Sequence, residues 1–215
     1  MHNVELVHVT PDAESLIAYM ARVSNPNNQD NPNYEKLIKY LIDHKHWSPF
    51  EMVNMCVQIE TTRSVAAQIL RHRSFSFQEF SQRYAPVTKK ANLPQLRRQD
   101  SKNRQNSIND LNESTVADFN AKMDGLFDLS QRLYDEMLVA GVAKECARDI
   151  LPLASPTKLY MNGTLRSWLH YTDLRCADGT QLEHKQIADQ VKSLIEQQFP
   201  TVYAAMFGYG DEVVT

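Results

Sequence analysis

The sequence predicts an α+β fold: one helix-rich domain, spanning residues 1–215, with a small antiparallel or mixed sheet. Three observations lead to this fold class. Apolar and polar residues alternate in only two short segments, whereas apolar residues recur at helical spacing in several others. With 215 residues, 42% of them hydrophobic, the chain can bury one core of ordinary size. It also contains no internal repeat.

Two segments have the alternation of half-buried strands, residues 4–9 and residues 53–60. After the first of them, Thr10 is expected to cap a helix that has Pro11 at its first position. Residues 86–112 are polar, carry two prolines and lack periodicity, which predicts a long loop. Loops of this length are usually functional or mobile.

Helical periodicity predicts seven helices. In chain order they are one from Pro11 to the loop at 25–33, one at about Tyr34–Lys45, one from Ser64 whose face includes His72, a long one through residues 116–138 that Gly141 ends, a short one before Leu151-Pro152, one from Leu165 to about Arg175, and one through residues 187–195 that Pro200 closes.

Composition argues against several classes of protein. No stretch approaches the roughly 18 consecutive apolar residues of a membrane span. The first ten residues lack the layout of a secretory signal, so a cytoplasmic location is expected. The three cysteines are widely spaced and indicate neither a disulfide framework nor a zinc site. His44 and His46 lack a third ligand of suitable spacing, so no metal site is expected.

Positive charge is concentrated in residues 71–104, where nine Lys or Arg residues against two acidic residues give a net charge of +7. The remainder has 14 basic and 24 acidic residues, a net charge of −10. Such a block predicts an anionic partner: a nucleotide, a polyglutamylated cofactor or nucleic acid. The basic residues at 89–104 either bind such an anion or solvate a loop.

Residues 71–83 combine basic, hydroxyl and carboxylate side chains at short intervals. Cations near a helix C-terminus interact favourably with its dipole, which would explain one or two of these charges. It does not explain the serines and the glutamate that follow, which together with Arg83 suit a phosphate and a polar ring. Arginine binds phosphate through two parallel hydrogen bonds.

The same residues resemble the signature of the flavin-dependent thymidylate synthases, which is Arg-His-Arg, two residues, Ser, four residues, Ser, one residue and Arg. Its six fixed positions are occupied by Arg71, His72, Arg73, Ser76, Ser81 and Arg83. Residues 46–51, 98–105 and 165–175 are similar to further elements of that family in the expected order, and Gln181 and Glu183 fit the start of its next helix.

One position departs from the family's pattern. Met52 stands where the upstream element usually closes with a histidine. We expect this difference to alter packing near the flavin rather than to remove activity.

The resemblance implies the reductive methylation of dUMP to dTMP. 5,10-Methylenetetrahydrofolate would be the carbon donor, FAD the hydride carrier and NADPH the reductant, with release of tetrahydrofolate. It also implies a homotetramer whose active sites are shared between subunits, with neither nucleic acid nor a membrane as partner. The same scaffold could act on another pyrimidine nucleotide or release a hydroxymethyl product.

Roles are implied residue by residue. The residues that would hold dUMP are Gln68, Arg71, Glu79, Ser81, Gln82, Arg83, Arg148 and Arg175. The residues that would line the FAD site are Ser48, Arg71, His72, Arg73, Glu79, Thr164, Arg166 and His170. From its helix alone, His170 would more often be a packed core histidine than a ligand.

Arg175 is the candidate catalytic residue under this resemblance. A guanidinium beside the uracil ring favours loss of the N3 proton and makes C5 electron-rich, so no cysteine nucleophile is needed. No cysteine lies in a setting that would favour a thiolate, although Cys176, next to Arg175, remains an alternative. Ser81 as a nucleophile would need an adjacent base, which favours a role as substrate ligand.

The main alternative function is that of a nucleic-acid-binding module. Phe75, Phe77, Phe80 and Tyr84 are interleaved with the basic residues of 71–104 and could stack on bases. The acidic remainder of the chain and the absence of a known RNA-binding signature argue against it.

Overall fold

The computed structural model describes residues 2–208, and its strands follow one another along the chain as β1 (Asn3–Val9), β2 (Asn54–Thr62), β3 (Ser76–Glu79), β4 (Arg98–Gln99), β5 (Ser107–Ile108) and β6 (Pro156–Thr164). Four of them form a sheet in the order β1-β2-β6-β3, and β4 pairs separately with β5. Every pairing is antiparallel.

The helices are α1 (Ala13–Ala21), α2 (Glu35–Asp43), α3 (Arg63–Ile69), α4 (Glu113–Val139), α5 (Lys144–Ala147), α6 (Leu165–Arg175), α7 (Leu182–Gln198) and α8 (Pro200–Phe207). Short 3-10 turns lie at Pro26–Asn28, Ser48–Glu51 and Arg148–Ile150. The predicted α+β class, helix-rich with a small sheet, is confirmed. No helix within residues 2–208 has the length and apolar character that crossing a bilayer requires.

The core lies between one face of the sheet and the helices. Alternate residues of β2 and β6 are buried, while those between them stay partly exposed. Trp168 of α6 is fully buried in this core, and its indole N–H donates to the carbonyl oxygen of Met55 at 2.9 Å. This bond ties α6 to the sheet, which positions the C-terminal end of α6 for the site described below.

A second, smaller cluster is formed by Val87, Tyr134 and Ala147. The buried hydroxyl of Tyr134 accepts a hydrogen bond from the backbone N–H of Val87 at 3.1 Å. The beginning of the predicted loop 86–112 is therefore held against α4, and β4 and β5 form a short hairpin further along it.

The predicted start of the first helix is wrong. Asp12 has φ 48°, in the left-handed region, so α1 begins at Ala13 instead of Pro11. The hydroxyl of Thr10 accepts from the backbone N–H of Asn54 at 2.9 Å, which joins the end of β1 to β2. The helical spacing of Leu16, Ile17, Met20 and Val23 predicts all four on one apolar face, but Val23 lies beyond the helix and is exposed.

Other boundaries differ as well. α3 ends at Ile69, so His72 lies beyond it and not on its face. Pro200 begins α8 as well as following α7. The periodicity did not predict β3 or β6. In α4, the helical spacing predicts Phe119 and Met123 on the apolar face, but Phe119 is exposed and Met123 is only half-buried.

Candidate active site

Arg175, in the last turn of α6, is the best-positioned cation of the predicted site. Its Nε–H donates to Nε2 of His72 at 3.0 Å. The side chain is half-buried, and no carboxylate within residues 2–208 forms an ion pair with it. The two terminal amino groups of its guanidinium are thus available to an anionic ligand.

His72 must be neutral to make this contact, because its Nε2 accepts the hydrogen bond. Burial lowers the pKa of His72 to about 4, and the nearby charges of Arg175 and His170 act in the same direction. The imidazole therefore carries its proton on Nδ1 at neutral pH and orients Arg175 without neutralising it.

Two residues assigned to the dUMP phosphate, Ser81 and Arg83, line a surface cavity of about 490 Å³ together with Lys144 and Glu145. Arg83 donates to Glu145 from Nε at 3.0 Å and from Nη2 at 2.9 Å. Both side chains of this pair are largely exposed, and such pairs contribute only about 0–1 kcal/mol. A phosphate can therefore replace the carboxylate at little cost.

Among the other dUMP candidates, some side chains hydrogen-bond to neighbouring side chains and others form no ion pair with residues 2–208. Gln68 donates to Gln181 at 2.5 Å. Glu79 accepts from Nη1 of Arg63 at 2.5 Å and from the hydroxyl of Thr157 at 3.0 Å. Gln82 is buried, and Arg148 is half-buried on its 3-10 turn without an ion pair to residues 2–208.

Three residues assigned to FAD meet in one cavity of about 580 Å³, lined among others by Thr164, Arg166 and His170. Arg166 forms an ion pair with Glu51 across this cavity. Thr164 also caps α6, since its hydroxyl accepts from the backbone N–H of Ser167 at 3.3 Å. His170, for which a core position was the alternative, is exposed.

None of the remaining FAD candidates lines this cavity, although Ser48 and Arg73 are each next in the chain to a residue that does. Ser48 begins the 3-10 turn next to Trp47, which lines the cavity, and Met52 follows that turn with an exposed side chain. Arg71 and Arg73 are exposed and form no ion pair with residues 2–208. This cavity shares no lining residue with the one at Ser81, so a single chain presents two separate halves of the predicted site.

The cysteines are poorly suited to covalent catalysis. Burial, followed by a hydrogen bond with Asp189, raises the pKa of Cys176 to about 12, and burial also raises the pKa of Cys56. Both thiols are therefore protonated at neutral pH. Within residues 2–208, no three His, Cys, Asp or Glu side chains are grouped so that they could hold a metal ion.

The basic block of residues 71–104 is partly paired within the chain. Lys90 contacts Asp124 and Asp128, Arg97 contacts Glu183, and Arg98 contacts Asp110, at 2.6–2.8 Å. The four aromatic residues of this block differ in burial. Phe75 and Phe77 pack against the core, and only Phe80 and Tyr84 are exposed. These observations remove most of the stacking surface that a nucleic-acid-binding module would need.

Sequence reasoning missed two buried residues beneath Arg175. His184 of α7 and Tyr171 of α6 are fully buried, with His184 Nε2 3.1 Å from the Tyr171 hydroxyl. The signal that could have identified His184 is its position on the same helical face as Ile187 and Val191, where an apolar residue is expected.

The low pKa values of the two histidines predict a loss of stability in acid. Burial lowers the pKa of both His72 and His184 from 6.5 to about 4. Between pH 6.5 and about pH 4, the unfolded chain therefore binds more protons than the folded chain. The free energy of unfolding should fall as the pH falls through that range. Urea denaturation at several pH values measures this dependence. An unchanged dependence in His184→Leu would contradict the part assigned to His184.

Comparison with known proteins agrees with the family resemblance of residues 71–83. Residues 5–201 match the family described as thymidylate synthase complementing protein. The chain belongs to this family. The match extends the resemblance of residues 46–200 to almost the whole chain, including β1 and α1.

Curated relatives in the thymidylate synthase complementing protein family carry the flavin-dependent name. A flavin-dependent thymidylate synthase of Synechocystis sp. is 54% identical over 193 residues, which cover 90% of this chain and 89% of that protein. A probable flavin-dependent thymidylate synthase of Paramecium bursaria Chlorella virus 1 is 50% identical, with 90% of each chain covered. A third, from Kosmotoga olearia, is 31% identical over 212 residues, covering 96% of this chain and 90% of that one.

A solved structure has the same fold. The UMP/dUMP methylase PolB from Streptomyces cacaoi, bound with 5-Br dUMP, superposes with a TM-score of 0.86 over 98% of this chain and 96% of that chain. The two sequences are 24% identical, so this likeness supports the architecture of the thymidylate synthase complementing protein family.

Proposed function

We propose that the chain is a flavin-dependent thymidylate synthase, a methyltransferase that converts dUMP to dTMP. 5,10-Methylenetetrahydrofolate is the carbon donor, FAD the hydride carrier and NADPH the reductant, and tetrahydrofolate is released. The observation that carries the proposal is Arg175, an arginine without an ion pair to residues 2–208 whose orientation is set by a neutral histidine. Relatives at 54% and 50% identity that bear this name support it.

Arg175 activates the pyrimidine electrostatically. Its guanidinium, beside the ring, stabilises the anion left by loss of the N3 proton, and the negative charge reaches C5. C5 then attacks the one-carbon unit without prior addition of a cysteine at C6. The raised thiol pKa values of Cys176 and Cys56 agree with this route, because a protonated thiol is a poor nucleophile.

dUMP is held by the remaining cations and hydroxyls. Ser81, Arg83 and Arg148 take the phosphate, while Gln68, Gln82 and Arg71 complete the nucleotide site together with Glu79. No histidine or carboxylate of residues 2–208 hydrogen-bonds the hydroxyl of Ser81, which supports a substrate ligand over a nucleophile.

The cavity at Thr164, Arg166 and His170 fits a flavin nucleotide. Hydroxyl, guanidinium and imidazole groups line it, and Arg73, which forms no ion pair with residues 2–208, supplies further positive charge for a pyrophosphate. Ser48, Arg71, His72 and Glu79 complete the proposed set. When bound, FAD supplies the hydride that reduces the one-carbon unit, and the protein supplies position and electrostatics.

The separation of the two cavities supports active sites that are shared between subunits of a homotetramer. An apolar stripe on α4 is suited to such an interface. Phe119, Leu126, Leu129 and Leu133 lie on one side of this helix and are 44–61% exposed. Exposed apolar residues grouped in this way mark association surfaces.

Charge placed on this stripe is expected to dissociate the assembly. Leu129→Lys should shift the protein from tetramer to smaller species, because a buried unpaired ammonium is costly. Ala121→Lys, also exposed on α4 but outside the stripe, is the matched control and should stay tetrameric. Light scattering after size-exclusion chromatography measures the mass. A tetrameric Leu129→Lys variant would exclude this face as the interface.

Product analysis tests the function itself. The protein is incubated with dUMP, methylenetetrahydrofolate, NADPH and FAD, and the nucleotide is identified by mass spectrometry. We expect dTMP, and we expect its loss when dUMP, methylenetetrahydrofolate or NADPH is omitted, or when FAD is omitted from protein whose bound flavin has been removed. A parallel reaction with UMP tests the choice of nucleotide. A hydroxymethyl product, or no product from a yellow protein, would contradict the proposal.

A further inference from the structure

A buried polar pair lies beneath Arg175, where α6 packs against α7. Tyr171 and His184 are both fully buried, and the Tyr171 hydroxyl lies 3.1 Å from His184 Nε2. Burying two polar groups costs free energy that an apolar pair would not cost. Neither side chain lines the cavity at Ser81 or the cavity at Thr164.

The pair is connected to Arg175 through the ring of His72. Tyr171 meets this ring edge-on, with 5.0 Å between centroids and 79° between planes. His184 meets it edge-on as well, at 6.0 Å and 89°. The rings of Tyr171 and His184, each nearly perpendicular to the His72 imidazole, thus fix the plane of that imidazole. This plane sets the direction from which Nε2 accepts the Arg175 Nε–H.

All three groups of this support are uncharged at neutral pH. Burial lowers the pKa of His184 to about 4, with contributions from Arg175 and His72, and burial raises the pKa of Tyr171 above its usual value. A carboxylate in the same place would also orient the guanidinium, but it would neutralise its charge. A neutral support leaves the full positive charge for the pyrimidine.

We propose that Tyr171 and His184 are positioning residues that act through the ring of His72 to hold the guanidinium of Arg175 towards the pyrimidine without neutralising it. This inference rests on the function proposed for Arg175. It adds two residues, one on α6 and one on α7, that do not touch the substrate and yet set the geometry of the reaction.

Steady-state kinetics with three variants tests the proposal. His184→Leu removes the polar support, Tyr171→Phe removes only the hydroxyl, and His184→Gln keeps a polar atom near the position of Nε2. We expect the first two to lower kcat by about 10- to 100-fold, because a displacement of about 1 Å at a catalytic group has effects of this size. KM for dUMP should change much less, and His184→Gln should recover part of kcat.

Stability separates positioning from a structural role. Replacing both partners of a buried hydrogen bond by apolar groups of similar shape can be nearly neutral or stabilising, whereas removing one partner leaves the other unsatisfied. We therefore expect the double variant Tyr171→Phe/His184→Leu to keep its melting temperature and its FAD while it loses turnover. Thr172→Val is the matched control, since Thr172 is fully buried on α6 but bonds only to helix carbonyls. It should retain the wild-type kcat.

Three outcomes would overturn the inference. These are an unchanged kcat in a folded His184→Leu variant, a loss of kcat in Tyr171→Phe/His184→Leu that follows a loss of FAD or of melting temperature, and independent effects of His184→Leu and Arg175→Ala when the two are combined.

A crystal structure of His184→Leu gives an answer that does not depend on turnover. The Arg175–His72 contact should be lost or displaced, and an intact contact would overturn the inference. Wild-type protein that forms no dTMP would contradict the proposed function separately.

Discussion

Arg175→Ala is expected to lower kcat for dTMP formation by about 100- to 1,000-fold, the range found when one preorganised electrostatic donor is removed from an active site. The protein should still purify with FAD, because the cavity assigned to the flavin is lined by other residues. Loss of the guanidinium leaves the developing negative charge of the pyrimidine unstabilised, and the raised pKa of Cys176 keeps this neighbouring thiol from replacing that route. Stopped-flow or steady-state turnover measures kcat, and flavin absorbance of the purified protein measures how much FAD it retains.

Two further variants sharpen this test. Arg175→Lys keeps the charge but cannot present Nε to His72 and two amino groups to the ring at once, so it should recover little activity. Lys36→Ala removes an exposed cation of α2 with no ion pair to residues 2–208 and should leave turnover unchanged. Near-normal turnover in Arg175→Ala would refute the electrostatic role.

Gly163→Ala is expected to lower the free energy of unfolding by about 1–3 kcal/mol, the usual effect of overpacking a core. A Cβ at this position of β6 would lie 2.4 and 2.6 Å from two ring carbons of Phe75. That ring cannot withdraw freely, because it packs edge-on against the indole of Trp168 at 4.6 Å between centroids. In a chain of this size, each kcal/mol corresponds to about 2–4 °C in melting temperature.

The same substitution should weaken FAD retention. Phe75 follows Arg73 by two residues, and Gly163 precedes Thr164, so displacement of the ring disturbs both edges of the flavin cavity. Gly125→Ala is the control of opposite sign. This glycine is exposed within α4 with no heavy atom near the added carbon, so alanine should stabilise by about 0.5–1 kcal/mol. A Gly163→Ala variant that melts with the wild type would contradict the assigned contact.

Elements with a strong local pattern were predictable. α6 spans Leu165–Arg175 as expected, because its apolar face and its cap at Thr164 lie within one short segment. α4 and its end near Gly141, which has φ 85°, were predicted for the same reason. β6 was not, because Pro156 and Gly163 are disfavoured in strands and its stability comes from pairing with β2 and β3.

The chemical character of the site can be read directly from residues 71–83. Arginines, serines and a glutamate in that order suit a phosphate and a polar ring whatever the fold around them, since the affinity of a guanidinium for phosphate is a property of the group itself. The flavin is implied by the resemblance of these residues to the family signature. Packing alone selects Arg175 as the cation that lacks an ion pair to residues 2–208 and has a neutral support. Its contact with His72 joins residues that are 103 positions apart in the sequence. The two side chains meet only after α6 has packed on the sheet beside α7. No local periodicity encodes such a contact, because it depends on the shapes of Trp168, Tyr171 and His184 after they are buried together.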